Sequence, residues 1–113
     1  MFSKTGLAKL IDAALLRGTV TADDVRRLCA TAKKYHFASV TLFPYWVALA
    51  ARELRGSDVK VSTVIGQPFG AYSPLVKAAQ VRQAVHDGAT GVEIVLNIGE
   101  LVAEHYDTTR REI

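Results

Sequence analysis

Glu93 is the residue whose setting most invites chemistry. It sits inside Gly91-Val92-Glu93-Ile94-Val95-Leu96, a short β-rich run. A strand of a parallel sheet is buried on both faces, and a carboxylate there is costly unless something pairs with it. That tension marks Glu93 as a candidate site, and carboxylates so placed serve general acid–base chemistry. The other reactive residue types offer less. His36, His86 and His105 fall on helices or their ends at unrelated spacings, which does not make a metal site. The single cysteine, Cys29, excludes an internal disulfide and any multi-thiolate site built from this chain alone. Its apolar helical neighbours predict a buried, inert thiol. Asp12, following Leu10-Ile11, has a local reading as a helix-end or turn cap.

The elements that must position these residues follow from the pattern. Residues 3–10 read as a short helix with Ser3 as its cap. Thr21-Ala-Asp-Asp24 has the form of a capping box, and Val25, Leu28, Cys29 and Ala32 recur at helical spacing as far as about Tyr35. Ala38–Phe43 is a β-rich run stopped by Pro44. Val47, Ala50, Ala51 and Leu54 form one apolar helical stripe, with Gly56 where a C-cap belongs. Val59–Ile65 is a second strand closed by Gly66, and residues 67–72 are a loop. Ser73-Pro74 opens a helix with Leu75, Ala78, Ala79 and Val85 expected inward and Gly88 at its end. Residues 91–96 make the third strand, Asn97–Gly99 a turn, and a last helix begins near His105. Strands alternating with helices imply α/β architecture with a parallel sheet and right-handed crossovers. No GxGxxG follows the first strand and no GxxxxGK[ST] occurs, so neither nucleotide-loop motif is present.

Composition narrows the class further. The chain has 113 residues, one domain's worth, whereas a full α/β barrel needs about 200 or more. Half of the residues are hydrophobic and 22% are charged, as in soluble globular domains. The 14 Lys and Arg residues are scattered, their densest clusters being pairs such as Arg26-Arg27. No basic stripe with stacking aromatics is present, so no nucleic-acid partner is expected. No apolar run approaches the roughly 18 residues of a membrane span, and Met1–Lys9 lacks an apolar signal core. A cytoplasmic location is the expectation.

Four segments together resemble the deoxyribose-phosphate aldolases. Leu7–Asp12 with Leu15-Leu16 is similar to that family's "LIDHTLL", and Phe37–Val40 with Pro44-Tyr45 and Val47 to "FASVCVNPYYV". Gly56–Val61 with Thr63–Gly66, Pro68 and Gly70 is similar to "GSDVKVCTVIGFPLG". Asp87–Ala89 through Asn97–Gly99 is similar to "DGADEIDMVINIG". The resemblance covers nearly the whole chain, in order and at matching spacing.

It implies a partial (β/α)8 barrel over residues 1–113, a single incomplete domain: three of the eight strands with their helices, plus an amino-terminal helix covering one end. The family cleaves 2-deoxyribose 5-phosphate to glyceraldehyde 3-phosphate and acetaldehyde through a Schiff base on a lysine, with no metal or cofactor. By the resemblance, Glu93 stands at the position of the family's proton-relay aspartate, and Asp12 matches an early aspartate near that relay. Glutamate is one methylene longer, and misplacement near 1 Å costs roughly a hundredfold in rate. The family's "HT" after the early aspartate is Ala13-Ala14 here, its strand cysteine is Thr41, and the asparagine before the proline is Phe43.

The reactive lysine and its helper would lie beyond Ile113, so the isolated chain is not expected to catalyse the aldol reaction. Of the lysines present, Lys60 is at the start of its strand, away from the expected active face, and reads as exposed. Lys77 lies one turn into a helix and reads as solvated or paired with a carboxylate. The expected partners are a sugar phosphate once the barrel is completed, and a second copy or a separate carboxyl-terminal half. An opened barrel exposes two sheet edges and apolar surface, which also allows a non-catalytic binding or scaffold role.

Overall fold

The computed structural model describes all residues, 1–113. Four parallel strands pair in sequence order: β1 (Asp12–Leu15), β2 (Ser39–Leu42), β3 (Lys60–Ile65) and β4 (Gly91–Ile94). The strand count thus corrects the expected three. Asp12-Ala-Ala-Leu15 carries no β-branched residue and becomes a strand through its pairing with β2. Between the strands run α2 (Ala22–Tyr35), α3 (Val47–Glu53) and α4 (Pro74–His86), with α1 (Lys4–Ala8) ahead of β1. Two short helices follow β4: α5 (Ile98–Val102), in part where a turn was expected, and α6 (Tyr106–Arg110).

Local chemistry sets the helix ends. The Thr21 hydroxyl accepts from the Asp24 amide while the Asp24 carboxylate accepts from the Thr21 amide, completing the capping box. Ser73 caps α4 with Pro74 in the first turn, and Asn97 caps α5 by accepting from the Glu100 amide. Gly56, Gly66 and Gly88 all adopt positive φ where turns were expected.

The register sorts the side chains of the sheet onto two faces. Val40, Leu42 and Val61 lie on one face and pack with Val25, Cys29, Ala32, Val47 and Ala50 of α2 and α3. Leu42, Val40, Val25 and Val47 are fully buried there. The opposite face carries Asp12, Ser39, Thr41, Lys60, Ser62 and Glu93, with Ala14, Val64 and Gly91 between them. One face holds the fold together; the other is polar.

Helix α4 departs from expectation. Leu75, Ala79 and Val85 are exposed, and Lys77 and Ala84 are its buried residues. The Lys77 ammonium donates to the Val95 carbonyl oxygen at 2.9 Å and pairs with Glu112 at 3.0 Å. The Glu112 carboxylate also accepts from the Asn97 amide at 2.9 Å. Burial pushes the Glu112 carboxyl up, but the Asn97 amide and Lys77 outweigh it and hold it below its usual range. At the other end of the sheet, Asp58 ties α1 down by pairing with Lys9 and with His36.

Candidate active site on the polar sheet face

The polar face gathers two carboxylates from opposite ends of the sheet. Asp12 is the first residue of β1, which replaces the local reading of a helix-end or turn cap. Ser39 Oγ donates to Asp12 Oδ1 at 2.6 Å, and Thr41 Oγ1 donates to Asp12 Oδ2 at 2.7 Å. Both distances are those of charge-assisted O–H···O⁻ bonds, so Asp12 is held at both oxygens. Thr41 Oγ1 also lies 3.4 Å from Glu93 Oε1. Asp12 and Glu93, 81 positions apart in sequence, therefore meet across one hydroxyl.

Glu93 itself is exposed, which overturns the premise that it is enclosed by its apolar neighbours. Val92 and Ile94 alternate onto the helix-bearing face and leave Glu93 on the open polar one. The register instead places Glu93 on the sheet face opposite the one packed against α2 and α3. Ala13 turns toward the helices, whereas Ala14 lies on the polar face and brings no hydrogen-bonding group to it.

The lysines separate clearly. Lys60, at the amino-terminal end of β3, is exposed. Lys77 is paired with a carboxylate as expected, but buried rather than solvated, its side chain only 3% exposed. Lys9 is bound to Asp58, and Lys33 donates to the Glu53 carbonyl oxygen. None of these amines reaches the two carboxylates through a hydrogen bond or ion pair. Cys29 is buried, and that burial pushes its thiol up to about 11, as an inert core position requires. No three His, Cys, Asp or Glu side chains cluster in a metal-binding arrangement. A cleft of about 540 Å³ between α4 and residues 111–113 lies on the helix side and has neither carboxylate in its lining.

Ser39 and Thr41 were not among the expected site residues. Their signal was parity: positions two apart on one strand share a face, and both are hydroxyl residues in an otherwise apolar run.

At the carboxyl ends of the strands, the loop after β3 is clasped to the end of β4. Gly70, at φ +68°, approaches so closely that a Cβ there would overlap the Leu96 carbonyl. No helix is long and apolar enough to cross a membrane.

No family model matches the chain. Curated relatives do. A deoxyribose-phosphate aldolase of Streptococcus suis is 47% identical over 107 residues, covering 95% of this chain and 49% of the relative. One from Halalkalibacterium halodurans is 48% identical over 108 residues, covering 95% and 48%. The chain thus spans about half the length of the relatives it matches. The tetrameric deoxyribose phosphate aldolase of Aeropyrum pernix superposes with a TM-score of 0.87 at 29% identity, over 97% of this chain and 45% of that one. The four strands are therefore part of an α/β barrel, and over 95% of its length the chain matches the amino-terminal half of deoxyribose-phosphate aldolases.

Proposed function

We propose that this chain supplies one side of a class I aldolase site, with Glu93 as the proton-relay carboxylate and Asp12 as the fixed carboxylate beside it. The observation that supports this reading is their meeting across Thr41 on the polar sheet face. The reaction would be cleavage of 2-deoxyribose 5-phosphate to glyceraldehyde 3-phosphate and acetaldehyde, in the cytoplasm. A Schiff base needs a deprotonated amine. Lys77 is taken up by Glu112 and the Val95 carbonyl oxygen, and Lys60 is at the wrong end of its strand. The nucleophile would come from the remaining four strands of one barrel domain that residues 1–113 begin.

Sodium borohydride trapping tests this. The chain is incubated with 2-deoxyribose 5-phosphate, alone and with the separately expressed second half of the Streptococcus suis relative, and intact masses are read. The expected result is no adduct on this chain in either case, and an adduct on the added half only when both are present. A reduced adduct on this chain would overturn the assignment. In the reassembled enzyme Glu93→Gln should lower turnover, by roughly a hundredfold if the relay is lost.

A second reading, a non-catalytic half-barrel that self-associates, draws on a different observation. β1 and β4 each pair on one side only, and Leu75, Val85, Val102 and Ile113 are exposed. A monomeric 12.3 kDa species in light scattering counts against it.

A further inference from the structure

Resting on the aldolase reading above, we propose that Thr41 is a positioning residue that fixes Asp12 and links it to Glu93 through a single hydroxyl proton. Thr41 is fully buried in the middle of β2, with a carboxylate of β1 on one side and one of β4 on the other. A threonine hydroxyl has one proton to give and two lone pairs to accept with. The 2.7 Å bond to Asp12 uses the proton, so Glu93, at 3.4 Å, joins the chain fully only by donating.

When Glu93 carries a proton, its O–H can point to Thr41 Oγ1 while the Thr41 O–H points to Asp12 Oδ2. Moving each proton along its own hydrogen bond leaves Glu93 ionised, Thr41 unchanged and Asp12 protonated. Total charge is conserved and no further reactant is needed. Ser39 on the other Asp12 oxygen prevents that carboxyl from turning away, and the β-branch of Thr41 restricts rotation about its χ1.

A second buried threonine supplies the contrast. Thr63, on the opposite sheet face, satisfies its hydroxyl by donating to the Leu42 carbonyl oxygen at 2.7 Å. A buried hydroxyl in this sheet can thus be satisfied by backbone alone. Thr41 is instead aimed at the two acidic side chains of the site.

The test uses the 113-residue chain and its variants. In low-temperature proton NMR, the Thr41 hydroxyl should appear as a slowly exchanging resonance in the wild type, vanish in Thr41→Val and persist as the serine hydroxyl in Thr41→Ser. Asp12→Ala should speed its exchange about tenfold or more by removing the strong acceptor. A hydroxyl that exchanges equally fast with and without Asp12 overturns the proposal. In enzyme reassembled with the second half of a relative, Thr41→Val should lower kcat about tenfold or more, KM should stay within about twofold, and Thr41→Ser should recover most of the loss. Unchanged kcat in Thr41→Val, or equal losses in the two variants, overturns it as well. If the aldolase reading itself is wrong, no variant turns over, and the hydroxyl measurement on the chain decides.

Discussion

Replacing Lys77 with methionine should destabilise the chain by about 2–4 kcal/mol, toward the lower end of what breaking a buried ion pair costs. The pair is secluded: the two side chains are 3% and 4% exposed, 3.0 Å apart. Methionine fills the space of the lysine stem but leaves Glu112 with one remaining donor, the Asn97 amide. The lower end applies because Glu112 follows the five-residue helix α6 and can swing into water to recover hydration. Glu112→Gln keeps the shape and leaves Lys77 an amide oxygen and the Val95 carbonyl, so about 1–2 kcal/mol is expected. Replacing both with methionine and leucine should recover much of the loss. Urea unfolding followed by the fluorescence of Trp46, the single tryptophan, gives each value. Acid adds a second arm. Glu112 is depressed in the folded state, so its contribution is present above its unfolded value near 4.3 and is lost as pH falls through the folded one. The acid limb should therefore be shallower in Glu112→Gln than in the wild type. If Lys77→Met and Glu112→Gln both unfold within about 0.5 kcal/mol of wild type, the pair is not a structural clamp and the reasoning fails.

Other perturbations probe separate parts of the fold. Gly70→Ala should cost at least about 2 kcal/mol, because a Cβ meets the Leu96 carbonyl and φ is +68°; Gly18→Ala, with open space around it, should stay within about 0.5 kcal/mol in the same urea titration. Thr21→Ala removes the capping box of α2 and should cost about 1 kcal/mol by thermal melting. Lys9 first, then His36, hold the Asp58 carboxyl at about 2. Its tether on α1 should be in full force above about pH 4 and fade as pH falls toward 2. Hydrogen exchange should accordingly show faster α1 amides in Asp58→Asn, and no such difference below pH 2.

What the sequence revealed depended on how local the cause was. β2 and β3 announce themselves through Val40-Thr-Leu and Val61-Ser-Thr-Val-Ile, and Thr21, Ser73 and Gly88 mark helix ends that act within a few residues. β1 stayed hidden because Asp-Ala-Ala-Leu has no strand preference of its own. Burial of Lys77 could not be read from α4, since the carboxylate that neutralises it lies 35 residues onward. Glu93 was legible as an oddity among apolar residues, but its neighbours turned out to face away from it. Parity puts Ser39 and Thr41 on one face, but only the register sets Ser39 opposite Asp12 and Thr41 opposite Ala14, both within reach of the Asp12 carboxylate.

The division of the sheet into a dry face and a polar face bears on how this fold can change. A substitution at Val40, Leu42 or Val61 is felt by the helices, whereas one at Ala14, Ser39, Ser62 or Gly91 is felt by whatever occupies the other side. Neighbouring positions on one strand thus answer to different selective pressures, and alternate codons along β2 should tolerate variation for unrelated reasons. Directed evolution could randomise the polar set while leaving the folding half of every strand untouched.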